Sequence, residues 1–458
     1  MDKKQIRPFA RLHGWWLCRT QLARMAGWPP EKRAAWLFER LRNVLVSAQN
    51  GIPFYRDRFR LAGFAPERDF LQISDLSRVP ILTKDEVRSH SQDLIDPRHL
   101  RGSVDAYTSG TTGQPTRLRL NESYVALDYA CMYRHWGQAG YRMRDRFAAI
   151  RSYVPDSSEG PLWRISRPQN TLYMSAYHLK PANADAYLDA LLRFRPSYLR
   201  GYVSSVATLA EFAYPRRQEF EFVRGVFTAS ETLSEPERAT IERTFGKKLF
   251  DWYGMTEPAV VITERLDHDG MEVNWEYGYP EFLSGDDLPA GERRLVATSL
   301  HNPVMPLIRY ETGDLALLSE RLDSAGLYPR IAAMRGRKDD CILTPDGRRL
   351  PSLNFYSLLQ PYRELLRFQF IQTDLESVTM KVSIRPGTMN VGPLLSQLRE
   401  EVMKRLGTNL SLTIEMTDQF LTSADGKTPT FQRLAGVSAL ATNSRRDAAC
   451  AAQSTPHH

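Results

Sequence analysis

Between residues 121 and 253 the chain alternates short apolar runs with longer stretches at helical spacing, and this rhythm constrains the fold more than any other feature. Residues 121–139 suit a helix and Phe147–Ile150 a buried strand; 183–195 suit a helix and Ser197–Tyr202 a short strand. A helix around 204–213, a strand-like Phe222–Phe227, a helix at 235–245 and a strand-like Lys248–Tyr253 continue the series. Such alternation predicts an α/β domain with mainly parallel sheets. Upstream, 31–49 reads as a helix through Leu37, Leu41, Val44 and Leu45, and Val79–Lys84 as a turn entering another.

The texture changes after Asp314, where Pro, Gly and Asp turns take over. A helix over 352–360, strands at Arg367–Gln372 and Val378–Ile384, a helix over 391–405 and a strand at Ser411–Glu415 make a second, α+β unit. The expected division is a large domain over 1–338, opened by a basic helical segment of about 60 residues, and a small mobile domain over 339–435. Residues 436–458 are rich in Ala, Ser, Thr and Arg, lack periodicity, and read as a disordered tail.

Composition excludes several classes. With 42% hydrophobic and 25% charged residues the chain is an ordinary globular sequence, and no apolar run reaches the ~20 residues of a membrane span. Cys18, Cys131, Cys341 and Cys450 form no metal-ligand or disulfide pattern, which favours a reducing cytoplasm. The net charge of +8 is local: residues 1–60 hold thirteen Lys/Arg against four acids, leaving the rest at −1. Basic residues interleaved with Trp15, Trp16, Trp28 and Trp36 read as amphipathic surface helices rather than as a nucleic-acid site.

Four segments carry chemistry. Tyr107–Thr116 (YTSGTTGQPT) offers backbone N–H groups and hydroxyls able to cradle a polyanion, stiffened by Pro115. It lacks the Gly-Lys-Ser/Thr of a Walker A loop. Trp252–Glu257 (WYGMTE) ends a predicted strand, with Tyr253 to stack on a purine, Thr256 to meet a phosphate and Glu257 to bind Mg²⁺. Tyr310–Asp314 (YETGD) is expected to be a turn aiming Asp314 at ribose hydroxyls, and Gly336–Asp340 (GRKDD) marks the domain junction. Alone, each is weak; their order is specific.

In that order, SGTTGxP, YGxTE, YxTGD and GRxDD resemble the adenylate-forming superfamily of acyl-CoA synthetases, and within it the phenylacetate–CoA ligase, CapK and coenzyme F390 synthetase-like branch. Pro53–Tyr55, Val79–Lys84, Arg200–Ser205, Ala229–Leu233 and Arg367–Gln372 also resemble it, so the similarity runs from about 35 to 434. The resemblance implies two steps: a carboxylic acid, aryl or of medium length, is activated by ATP to an acyl-adenylate, then transferred to the thiol of coenzyme A. It implies that Ser109, Gly110, Thr111, Thr112 and Gly113 hold phosphates, and that Thr256 meets the α-phosphate and Glu257 the Mg²⁺. Asp314 would bind ribose. Ser230, Glu231, Tyr253, Gly254 and Met255 would surround the adenine, with Arg337 fixing the nucleotide. Asp339 would be the hinge and Lys427 the catalytic cation. A homodimer is implied too. The zinc of some branch members is expected to be absent, since 260–280 offers His268 and no cysteine. The CapK-like Cys341–Arg348 stretch leaves open an amine, hydroxyl or carrier-protein acceptor, as in amide or ester synthetases of specialised metabolism or polysaccharide synthesis. A non-catalytic binding protein is the remaining reading. Tyr129, Tyr133, Trp136, Tyr153 and Tyr202 are the aromatics available for an acyl pocket.

Overall fold

The computed structural model describes residues 3–107, 116–151, 153, 161–246, 249–285, 288, 291–335, 341–346, 348–351, 355, 358–359, 362, 364–385, 387–417, 419–421 and 431–433. The chain forms two compact units, each assembled from separated stretches. One takes in the N-terminal residues up to Thr108, Thr116–Met143 and Phe250–Gly336; the other holds Arg144–Leu249 and the C-terminal residues from Arg337.

The first unit begins with α1 (Lys3–Leu17), a π-helical turn (Cys18–Leu22), α2 (Ala23–Ala26), α3 (Pro30–Gly51), α4 (Pro53–Leu61), α5 (Pro66–Asp69) and α6 (Lys84–Ser89). In α3, Pro30 sits at the first turn, where its missing N–H costs nothing, and Leu37, Leu41, Leu45 and Ala48 form the buried stripe. Thr83 caps α6 in a reciprocal box with Glu86, the S/T-x-x-E signature written in the sequence. A hairpin of β1 (Ser103–Tyr107) and β2 (Arg117–Asn121) brackets residues 108–115, which lie outside the described residues. The helix α7 (Glu122–Gln138) follows, capped by Asn121.

Seven strands complete this unit: β8 (Leu249–Gly254), β9 (Val261–Glu264), β10 (Met271–Val273), β11 (Gly278–Leu283), β12 (Glu292–Ser299), β13 (Tyr310–Leu322) and β14 (Pro329–Arg335). They lie in the order β11-β12-β13-β14-β10-β9-β8, and their pairs are antiparallel. Among the described residues no helix intervenes between these strands in sequence, and short connections reverse the chain.

Among the described strands, parallel pairs fall in the second unit. There β3 (Phe147–Arg151), β4 (Trp163–Ser166), β5 (Thr171–Ser175), β6 (Tyr198–Gly201) and β7 (Gly225–Ala229) take the order β7-β6-β3-β5-β4. β3 pairs parallel with β5 and β6, and β6 with β7; β4 is the antiparallel edge. The helices α8 (Ala184–Phe194) and α9 (Val203–Ala213) supply the crossovers, with α10 (Glu235–Phe245) after β7.

The C-terminal part contributes a small hairpin of β15 (Cys341–Leu343) and β16 (Arg349–Pro351), then β17 (Leu365–Gln372), β18 (Ser377–Ile384), helix Val391–Leu406, β19 (Ser411–Met416) and β20 (Phe431–Arg433). The last four strands form a mixed sheet in the order β19-β18-β17-β20. Its core of Phe355, Phe370, Met380, Leu398, Val402 and Phe431 also takes in Tyr177. The buried Arg348 guanidinium donates to the carbonyl oxygens of Tyr177 (2.7 Å), Arg405 (3.3 Å) and Leu406, while Asp346 balances its charge at 2.9 Å. The expected helix over 352–360 and the boundary at 338/339 fall largely or wholly on residues outside the described set.

Candidate functional site

The YETGD segment is a β-bulge inside β13, and the expected turn is corrected accordingly. Glu311 faces Val296 and Leu315 faces Arg294, so Thr312, Gly313 and Asp314 stand opposite Leu295 alone. The surplus is absorbed locally. Thr312 Oγ1 donates to the Leu295 carbonyl (2.8 Å) and accepts from the Asp314 N–H (3.1 Å), while Gly313 takes φ +80°. A side chain at that φ is strained, so glycine is what the bulge requires. The bulge re-aims Asp314, whose Oδ2 accepts a 2.7 Å hydrogen bond from the Tyr253 hydroxyl at the end of β8. Burial, and then the Asp314 charge, push the Tyr253 hydroxyl well above the ordinary tyrosine range, so it remains a neutral donor.

Glu257 lies just beyond β8 and is buried. Its Oε1 accepts from the Tyr310 hydroxyl (2.9 Å) and lies 3.7 Å from Lys84 Nζ. Among the described residues no hydrogen bond engages Oε2. Tyr310 is itself buried, and its hydroxyl too is pushed well above the ordinary range, first by burial and then by Glu257. Lys84 reaches this carboxylate because the preceding segment adds to β13: the Leu82 N–H donates to the Arg309 carbonyl, and the Glu311 N–H to the Leu82 carbonyl. Arg309, at φ +50°, anchors the same segment through the Ser77 and Val79 carbonyls and a two-pronged pair with Glu281 at 2.9 Å. The turn after Glu257 rests on Gly278, where an added Cβ would stand 1.7 Å from the Ala259 carbonyl oxygen. Thr256 and Met255 are half-buried beside Glu257; at Gly254 a Cβ would meet the Trp252 indole nitrogen at 2.4 Å.

Two residues here escaped the sequence reading as site residues. Tyr310 was noted only as the start of a motif, and Lys84 only as the end of Val79–Lys84. The spacing between Lys84 and Glu257 held no sign of contact; it depends on the single bridge at Leu82.

In the second unit, Ser230 follows β7 with φ +75°, a conformation that costs a non-glycine residue on the order of 1–3 kcal/mol. Glu231 holds the turn. Its carboxylate accepts from the backbone N–H of Ser204 (2.7 Å) and from the Ser204 hydroxyl (3.0 Å), at the N-terminal turn of α9 where donors lack helical partners. Ser109, Gly110, Thr111, Thr112, Gly113, Arg337, Asp339 and Lys427 lie outside the described residues. Of the aromatics considered for an acyl pocket, Tyr129 packs under α1, with the Arg11 guanidinium 5.9 Å from its ring centre; Tyr133 and Trp136 are buried in edge-on contact at 5.8 Å. They serve helix packing there.

No three His, Cys, Asp or Glu cluster as a metal site among the described residues. Glu257 is instead one buried carboxylate with one oxygen committed to Tyr310, a single oxygen donor of the kind that could contribute to a hard-cation site.

No family model matches the chain. Among curated proteins, it is 26% identical over 418 residues to phenylacetate-coenzyme A ligase of Thermus thermophilus, covering 85% of this chain and 93% of that one. It is 24% identical over 364 residues to protein CapK of Staphylococcus aureus, covering 78% and 80%. The chain is a relative of the phenylacetate–CoA ligase and CapK proteins. Among solved structures, 2-hydroxyisobutyryl-CoA ligase in complex with its acyl-AMP and CoA, in the thioesterification state, matches with TM-score 0.57 at 19% identity, over 92% of this chain and 93% of that one. The fold is therefore shared with that ligase over 92% of the chain.

Proposed function

We propose that the protein is an ATP-dependent acid–thiol ligase. A carboxylate oxygen attacks the α-phosphorus of ATP and expels pyrophosphate; the thiol of coenzyme A then attacks the acyl carbon, AMP departs, and the thiol proton is released. The observation that carries this reading is the pairing of the two motif carboxylates with motif tyrosines, Glu257 with Tyr310 and Asp314 with Tyr253, in a chain related to ligases of this kind.

On this reading Asp314, held by a tyrosine that stays protonated, accepts the ribose hydroxyls. Glu257 holds Mg²⁺, which when bound would neutralise phosphate charge. Lys84 offsets the buried Glu257 charge before nucleotide arrives. Thr256 meets the α-phosphate, and Ser109, Gly110, Thr111, Thr112 and Gly113 the outer phosphates. Tyr253, Gly254, Met255, Ser230 and Glu231 border the adenine, and Arg337 fixes the nucleotide. Asp339 is the hinge between domains 1–338 and 339–435, and Lys427 brings the cation to the charge developing between carboxylate and phosphorus, where preorganised charge is most effective. The enzyme acts in the cytoplasm.

Carboxylate-dependent ATP–pyrophosphate exchange across a panel of aryl and medium-chain acids tests the reading. Lys427→Ala should abolish exchange with the fold intact; undiminished exchange removes Lys427 from the chemistry, and no exchange by the wild type with any acid removes the ligase. The relation to CapK favours a second acceptor class, an amine, hydroxyl or carrier protein. Supplying coenzyme A or hydroxylamine to the acyl-adenylate separates the two.

A further inference from the structure

The helix α1 packs along α7 through a close seam. Ala10 and Gly14 are buried in it, and a Cβ at Gly14 would meet the Tyr129 Cβ at 2.5 Å. The opposite face points to solvent. Phe9, Leu12 and Trp16, spaced i, i+3 and i+7, are 73%, 61% and 54% exposed, and Trp15 beside them is 38% exposed. Single exposed apolar residues are ordinary, but a helical stripe of three large ones marks an interaction face. The same segment is charged in one sense. From Lys3 to Pro30 it carries Lys3, Lys4, Arg7, Arg11, Arg19 and Arg24 and no Asp or Glu. Arg19 and Arg24 are exposed, and the Arg19 guanidinium lies 5.8 Å from the Trp15 ring centre.

Charge decides the occupant. A second copy would bring two uncompensated basic segments together, which like-charge repulsion opposes. A protein partner needs a surface complementary to this one helical stripe, whereas a lipid surface accepts the stripe as it is. Phe, Leu and Trp side chains enter the boundary between headgroups and acyl chains while flanking cations meet anionic headgroups. We propose that the outer face of α1 docks this protein reversibly on an anionic lipid surface. The association is peripheral, since no helix among the described residues is long and apolar enough to cross a membrane. It is independent of the ligase reading.

The test is co-sedimentation of the full-length protein with vesicles of phosphatidylcholine alone, or with about one-third phosphatidylglycerol. The wild type should partition at least about tenfold more onto the anionic vesicles, and progressively less as salt rises. A Phe9→Ser/Leu12→Ser/Trp16→Ser variant and an Arg19→Glu/Arg24→Glu variant should each lose about tenfold or more of this binding while keeping the wild-type circular dichroism and melting transition. Absence of vesicle binding by the wild type overturns the proposal, as does binding that neither variant weakens. A concentration-dependent dimer that only the triple serine variant dissociates, without lipid binding, assigns the face to a second copy instead.

Discussion

The bulge in β13 and the turn after β7 present polar residues by opposite means. At Thr312–Asp314 the irregularity comes from surplus residues, glycine absorbs the positive φ, and the hydroxyl of Thr312 satisfies the stranded backbone groups. At Ser230 the residue count is regular, but a non-glycine residue is held at φ +75° while the neighbouring Glu231 is clamped to the start of α9. The first device is relaxed where it stands; the second is strained and depends on its clamp. A bulge within a strand and a turn beyond one therefore predict different responses to substitution.

Function separates them most. Glu257→Gln keeps an acceptor for Tyr310 but removes the charge, and adenylation should fall by on the order of 100-fold, recoverable only in part by raising Mg²⁺. Pyrophosphate release at graded Mg²⁺ measures it, and a loss of only a few fold would take Glu257 out of the metal-binding role. Acid should act next, and through the first unit. Burial holds His135 and His301 down to about 4, from 6.5. Because the folded values lie below the unfolded ones, the unfolded chain binds more protons in that window. Stability is complete above 6.5 and is lost as pH falls toward 4, by about 3 kcal/mol per group. Trp36, stacked on His301 at 6.1 Å, gives a fluorescence signal for urea unfolding at successive pH values. A flat profile would mean that these imidazoles titrate in the folded chain as they do in the unfolded one.

Smaller effects probe the two backbones directly. Gly313→Ala forces a side chain into φ +80° and should cost about 1–2 kcal/mol in thermal unfolding while raising the KM for ATP through misdirected Asp314. In the turn the sign reverses. Ser230→Gly relieves strain and should stabilise by up to about 1 kcal/mol, whereas Ser204→Ala, which removes half of the Glu231 clamp, should destabilise by about the same. If Ser230→Gly destabilises, the turn is not strained and the contrast with the bulge disappears.

What could be read from sequence followed local rules. The helix Glu235–Phe245 forms at the bounds read from sequence, and Ser234 with Glu237 closes a capping box at its start while Gly246 ends it at φ +80°. The strand placed at Phe222–Phe227 begins three residues later, at Gly225, because Tyr214–Phe220 winds as a 3-10 helix and Phe220 and Val223 turn into the core. Strand direction in the first unit was hidden, since apolar runs carry no record of their partners. The bulge was hidden for the same reason: its surplus exists only relative to β12. The two motif carboxylates were legible by type and order, but Lys84 is legible only once Leu82 is seen bridging to Tyr310.

Arg348 has a consequence for biosynthesis. Its guanidinium closes onto Tyr177, which leaves the ribosome long before it, and onto Arg405 and Leu406, which leave after it. Because each unit is assembled from stretches interrupted by the other, the first closes only after Gly336 has emerged and the second only after the C-terminal residues have, and at ~5–20 residues per second the nascent strands wait seconds for their partners. The Arg348 contacts thus join the second unit's early and late stretches only once the C-terminal helix has emerged.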